Sequence, residues 1–136
     1  AQVLEALEVY RANSRPSQPL QRPHVMLGFN VFAADTDAEA QVLATSMQQA
    51  FVNLRTGRPT PLPPPFPGYA NHLAPHEKAM LDSVLACTAA GSPDTVRRGL
   101  PDFIERTQAD EVMVASQIFV HAARLRSYEL LAGLLD

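Results

Sequence analysis

Gly91-Ser92-Pro93-Asp94-Thr95-Val96, then Glu111-Val112-Met113-Val114-Ala115-Ser116, then a helical pattern through Leu125, Tyr128 and Leu135, together decide the fold class. Ser92 stands where a helix N-cap is wanted. Pro93 follows at the first helical residue, where its missing amide is no loss, and Asp94 lies in the first turn. The second stretch is a short apolar strand. Helix, strand and helix in this order form a fragment of a parallel α/β fold, where function gathers at the C-terminal ends of the strands. Val96, Leu100, Phe103 and Ile104 make the apolar stripe of the first helix. Pro101 lies inside that helix, where it removes an amide bond and clashes with the preceding turn at roughly 3 kcal/mol. A kink, or a break after Gly99, is expected there.

Upstream, His24 to Ala34 reads as the one other good strand. Val25, Leu27, Phe29 and Val31 fall on one side, and Met26, Gly28, Asn30 and Phe32 on the other. Both faces are largely apolar, as in a strand covered on both sides of a parallel sheet, and the exceptions, Gly28 and Asn30, share a face. Helices must cross over between the two strands, so they pair in parallel. Two strands do not make a parallel sheet, and the chain therefore reads as part of a larger enzyme.

The strongest helix signal follows that strand. Thr36-Asp37-Ala38-Glu39 is a capping box, Ala40, Leu43, Ala44, Met47, Phe51 and Leu54 recur at helical spacing, and Gly57 supplies a left-handed stop. A third helix starts at Pro75 with Met80, Val84 and Cys87 on one side. The first helix carries Val3, Leu7 and Tyr10 and fades before Pro16, and a polar linker leads from there to Pro23. It begins at Ala1 with neither an initiator Met nor a capping residue, which fits a truncated, processed or proteolysed C-terminal piece. Pro59 to Gly68 is too rich in proline for helix or sheet and is expected to be extended. It reads either as a lid or binding loop or as a surface insertion, and residues 58–72 are expected to be the most mobile internal segment.

Composition narrows the partners. The 136 residues are 46% hydrophobic and carry a formal charge of −3, with Lys78 the single lysine, so no basic face for nucleic acid is expected. No apolar run reaches the length of a membrane span. The one cysteine, Cys87, rules out an internal disulfide framework, fits a reducing cytoplasm and reads as a buried small hydrophobe.

Five pieces in order carry a family resemblance: Tyr10-Arg11-Ala12-Asn13, Phe32-Ala33-Ala34-Asp35-Thr36-Asp37, Gly91 to Val96, Ala109-Asp110-Glu111-Val112-Met113-Val114, and His121-Ala122-Ala123-Arg124-Leu125-Arg126-Ser127-Tyr128-Glu129-Leu130-Leu131. The chain resembles the C-terminal part of the luciferase-like flavin-dependent monooxygenases, the bacterial luciferase family. The resemblance implies the C-terminal part of a (β/α)8 TIM barrel, helix-rich, with two parallel strands and flanking helices. His24–Ala34 would be the seventh strand and Glu111–Ser116 the eighth. Residues 1–136 would form one unit, with an insertion or lid over about 57–90. It further implies reduced FMN as cofactor, held mainly by the part of the barrel outside this chain, with O₂ and an aldehyde or similar small organic substrate. A homo-oligomer or a complementary N-terminal fragment is the expected protein partner, because the strand edges and helix stripes want cover.

Within that frame Gly28 and Asn30 could face a barrel lumen, where a small residue leaves space and an amide can bond cofactor or substrate. Equally, Asn30 could satisfy neighbouring backbone. Ser116 and Gln117, at the end of the second strand, could line the pocket or cap the next helix. Ser92 could take a phosphate on free helix amides, but Asp94 opposes an anion and an N-cap role suffices. His72 and His76 are four apart, yet Pro75 between them leaves His72 outside the helix, and no metal site is expected. No catalytic residue is named. The rival reading is a non-enzymatic, self-associating helical interaction module, or a decayed paralogue lacking the flavin site, that uses its proline-rich segment as a peptide ligand.

Overall fold

The computed structural model describes residues 2–134, in which five helices alternate with three short strands. The expected end of the last helix at Leu135 lies outside the described residues. Helix α1 spans Gln2–Asn13, strand β1 Met26–Ala33, helix α2 Asp37–Arg55 and helix α3 Pro75–Val84. Strand β2 spans Thr88–Gly91, helix α4 Pro93–Thr107, strand β3 Glu111–Ala115 and helix α5 His121–Ala132. Among the described residues no helix is long and apolar enough to cross a membrane.

Most helix ends obey their local chemistry. Thr36 Oγ1 accepts from the Glu39 amide at 3.2 Å, and Gly57 takes φ +76 just past α2. Pro75 and Pro93 open α3 and α4. At Pro101 the break is excluded as one of the two expected outcomes: α4 runs on from Pro93 to Thr107 with the proline inside it. Val96 on one side of the proline and Phe103 on the other, 0% and 2% exposed, both plug into the same core, and that shared packing outweighs the local cost of the ring. Ile104, placed in the stripe by spacing, is exposed instead.

The sheet has three parallel strands rather than two, in the order β2-β1-β3. β1 and β3 are parallel neighbours, as expected, with Gly28 opposite Met113 and Asn30 opposite Ala115. β2 adds to the other edge of β1 over Asn30–Ala33. The sequence reading carried the third helix to Cys87 and named no strand before Gly91. Helix α3 instead stops at Val84, a 3₁₀ turn covers Leu85–Cys87, and Cys87 is half-buried rather than buried. On one face, Phe29, Val31 and Ala33 pack with Ala89, Val96, Phe103 and Leu131 of β2, α4 and α5, and the Phe29 and Phe103 rings lie 4.5 Å apart. On the other, Phe32 packs with Ala40, Leu43, Met47 and Ile118. Helix α2 also covers the outer edge of β2, where Gln41 Nε2 donates to the Ala90 carbonyl at 3.0 Å. That bond occupies a group which an open sheet edge would offer to another chain.

At the N-terminal end of the sheet the register is pinned. Asp110 Oδ2 accepts from the Val25 amide at 2.9 Å, while Val25 O accepts from the amides of both Asp110 and Glu111. Arg22 adds an ion pair to Asp110 at 3.1 Å. The Val25 amide, with help from Arg22 and His24, holds the Asp110 carboxyl below its ordinary value.

Candidate functional site

Strand alternation aims Met26, Gly28, Asn30 and Phe32 to one face, and parallel pairing sets Met113 and Ala115 beside them on the same face. The C-terminal end of this face is closed by Phe32 under α2, so an opening runs from Met26 to Asn30. Met26 is 52% exposed and Met113 61%. A Cβ built on Gly28 would meet no atom within 4 Å. Asn30 is half-buried, and among the described residues its carboxamide makes one long hydrogen bond, from Nδ2 to Thr88 Oγ1 at 3.5 Å. Gly28 and Asn30 thus sit together on an apolar, uncovered patch with one polar group still free to bond a guest.

Ser116 is placed elsewhere. It follows Ala115 and turns to the opposite, helix-packed side, 5% exposed. Its Oγ donates to Val31 O at 2.8 Å and lies 3.3 Å from Ser127 Oγ, which in turn accepts from the Ala33 amide at 2.9 Å. The Ser116 amide donates to the Tyr128 hydroxyl at 3.0 Å. β1 and β3 diverge after Asn30, and these three hydroxyls carry the hydrogen bonding onward where the backbone ladder stops. Ser116 does not cap the next helix either, since Val120 holds that position, and Gln117 is exposed.

Ser92 occupies the N-cap of α4, but its hydroxyl makes no cap bond and lies 3.4 Å from Thr95 Oγ1. The carboxylate that serves this helix end comes from Asp37, in the first turn of α2. Asp37 Oδ1 accepts from the Ser92 amide at 2.6 Å. That backbone bond, then the Thr95 and Ser92 hydroxyls, lower the Asp37 pKa from its ordinary value. The contact explains Gly91: a Cβ there would stand 2.5 Å from Thr95 Cγ2 and 2.6 Å from Asp37 Oδ1. An anion at this helix N-terminus would meet a carboxylate already seated.

The proline-rich segment forms no strand or α-helix from Pro59 to Gly68, as expected, and a 3₁₀ turn follows at Tyr69–His72. It is tied along α2. Thr45, Gln49 and Asn53, four apart on the helix, bond in turn to the Phe66 amide at 2.9 Å, the Pro64 carbonyl at 2.9 Å and the Thr60 hydroxyl at 3.1 Å. His72 stacks on Phe66 at 5.0 Å. Burial, then the Glu77 carboxylate, raise the pKa of nearby Tyr69. A cavity of about 580 Å³ lies at the opposite, N-terminal end of the sheet, lined by Leu4, Asp82, Cys87 and Arg106 among others, away from Gly28 and Asn30.

No family model matches the chain. It is 43% identical over 128 residues to the luciferase-like monooxygenase of Escherichia coli K12, an alignment covering 94% of this chain and 38% of that protein. The chain is a relative of the luciferase-like monooxygenases. It is also 45% identical over 132 residues to the uncharacterized protein YvbT of Bacillus subtilis, covering 97% of this chain and 39% of YvbT. The crystal structure of apo-MsnO8 matches at a TM-score of 0.72 and 29% identity, over 97% of this chain and 40% of that one. The chain therefore spans about two fifths of the length of the curated relatives it matches, in keeping with a C-terminal portion. The sequence signals that went unread were short-range in appearance. Asp37 lay inside the capping box of Thr36 and Glu39 with no role of its own, and Ser127 and Tyr128 looked like ordinary helix residues.

Proposed function

We propose that this chain is the C-terminal portion of a luciferase-like flavin-dependent monooxygenase, built as a (β/α)8 barrel, that uses reduced FMN and O₂ on an aldehyde or similar small organic molecule. The observation that carries the reading is the 43% identity, sustained over 94% of the chain, to a protein of that name. The parallel adjacency of β1 and β3 supports it, since consecutive barrel strands must be neighbours. In this reading they are the seventh and eighth strands. β2 then belongs largely to the insertion of residues 57–90 and pairs with only the C-terminal half of the far edge of β1, Asn30–Ala33, which leaves Met26–Phe29 of that edge for the sixth strand.

The residues fit one part of the cofactor and not another. A flat ring suits the uncovered face, where Gly28 leaves space, Met26 and Met113 give apolar contact and the Asn30 carboxamide can bond a ring edge. A phosphate does not suit the α4 N-terminus, because Asp37 stands there; its grip belongs to the rest of the barrel. When bound, reduced flavin supplies the activation of O₂, and the protein's part is binding, orientation and water exclusion. Here Asn30 orients, Gly28 and the methionines shape the floor, and residues 58–72 act as the lid that keeps water out. The exposed apolar residues Met26, Met113, Phe119 and Val120 call for cover from the remaining barrel, a complementary fragment or a second copy.

The test uses the full-length parent. It should bind reduced FMN under anaerobic conditions and consume O₂, whereas the 136-residue chain alone should bind the flavin at least about a hundredfold more weakly. A parent that neither binds flavin nor consumes O₂ sinks the proposal. Shortening residues 58–72 in the parent should lower turnover and spare flavin affinity; equal losses would make the segment structural instead.

A further inference from the structure

The chain holds four methionines, Met26, Met47, Met80 and Met113, and the fold treats them unequally. Met47 is 4% exposed where α2 closes the sheet face, and Met80 is half-buried. Met26 and Met113 stand more than half in solvent. The sheet sets these two around one gap. Met113 is opposite Gly28 in the β1–β3 pairing, and Met26 precedes Gly28 by two residues on the same face. A Cβ on Gly28 would meet nothing within 4 Å, so a small molecule that enters the gap has a thioether on either hand. Thioether sulfur gives up two electrons to peroxides, whereas the neighbouring carboxamide of Asn30 and methyl of Ala115 do not. Cys87, the single thiol of the chain, lines the cavity at the other end of the sheet.

We infer that Met26 and Met113 form a paired modification site, at which hydrogen peroxide makes the two sulfoxides and the oxidised pair turns the guest away. At each sulfur the O–O bond of the peroxide breaks, one oxygen is bonded to sulfur, and the other leaves as water with both protons. Sulfur loses the two electrons that the peroxide gains. The inference rests on the monooxygenase reading for its oxidant: hydrogen peroxide is the two-electron reduction product of O₂ when a flavin enzyme turns over without its organic substrate. A sulfoxide replaces an apolar contact by a strong hydrogen-bond acceptor. A guest seated over it buries that oxygen with Asn30 as the one side-chain donor on the patch, and binding weakens. Wasted turnover thereby lowers the occupancy of the site, and reduction of the sulfoxides restores it.

The experiment treats the full-length parent with dilute hydrogen peroxide and maps the product by peptide mass spectrometry. Met26 and Met113 should each gain one oxygen at least about tenfold faster than Met47, the buried control in the same molecule. After removal of the peroxide, anaerobic titration with reduced FMN should show affinity weakened about tenfold or more, and methionine sulfoxide reductases of both epimer specificities should recover it. The parent carrying Met26→Leu and Met113→Leu, compared with its own untreated affinity, should lose less than about twofold. Cys87 is present in both proteins, so a thiol does not account for the difference. A parent that binds flavin but oxidises Met26 and Met113 no faster than Met47 overturns the inference alone. So does an equal loss of affinity in the doubly substituted protein. A parent that binds no flavin before treatment overturns both this inference and the monooxygenase reading.

Discussion

The two faces of the sheet are written in nearly the same apolar alphabet and meet different fates. On one, Phe29 and Val31 are covered by α4 and α5 and Leu27 and Val114 pack against them; on the other, Met26 and Met113 stand more than half in solvent beside Gly28. Composition does not distinguish them. What differs is whether this chain supplies a partner: helices follow β2 and β3 and fold back on the first face, while on the second Met26, Gly28 and Met113 stay exposed. In the proposed barrel, this uncovered apolar strand face is where the remaining strands or a guest would sit.

The largest expected effect tests that contrast directly. Phe103→Ala removes a 2% exposed ring that packs on Phe29 and should cost about 3–5 kcal/mol in urea unfolding of the chain. Met113→Ala, on the open face, should stay within about 0.5 kcal/mol. Comparable losses from the two would mean that the open face is covered in solution.

Ser127→Ala should cost about 1–3 kcal/mol, because it strips the buried Ala33 amide of its acceptor and Ser116 of its neighbour. Asn30→Ala should leave the stability of the isolated chain almost unchanged and instead weaken flavin or substrate binding in the full-length parent. If Asn30→Ala unfolds the chain as readily as Ser127→Ala does, Asn30 is a structural residue and its place in the site is lost.

The two glycines divide along the same line. Gly91→Ala forces a Cβ into Thr95 and the Asp37 carboxylate and should destabilise by about 1–3 kcal/mol. Gly28→Ala has open space and should be neutral, or stabilising by about 0.5–1 kcal/mol, in thermal unfolding.

The smallest effect lies in acid. Asp37 and Asp110 both have pKa values below the ordinary 3.8, chiefly through backbone amides of Ser92 and Val25. A carboxyl depressed in the folded state stabilises fully above its unfolded value, and that contribution fades as pH falls through the folded one. Asp110→Asn should therefore flatten the acid limb of the stability profile below about pH 4 and leave the slope near neutrality alone, as read from urea midpoints across pH.

The helices were legible because their signals are local. A hydroxyl at Thr36, a glycine at Gly57 and prolines at Pro75 and Pro93 act on backbone groups within one turn, so neighbouring residues suffice to read them. β1 was legible for a related reason, since eight residues with both faces apolar leave few alternatives. β2 was not: Thr88-Ala89-Ala90-Gly91 has no periodicity and no bulk, and becomes a strand because β1 offers an edge and α2 covers its far side. That Gly28 and Asn30 share a face followed from simple alternation. That Ser116 packs on the helix side did not, because a residue just past a strand takes its surroundings from what lies across the sheet.

By itself, then, the sequence determined where α2 starts and stops, where α3 and α4 start, which residues share a strand face, and that β1 and β3 run parallel, because all of these depend on a few neighbouring residues or on the need for crossover helices. Only the tertiary structure decided that α4 survives Pro101, that Asp37 caps a helix 55 residues away, and that one sheet face is left open. Each of those outcomes balances a local cost or a local silence against packing from distant parts of the chain. Packing of that kind exists only once the chain has closed on itself.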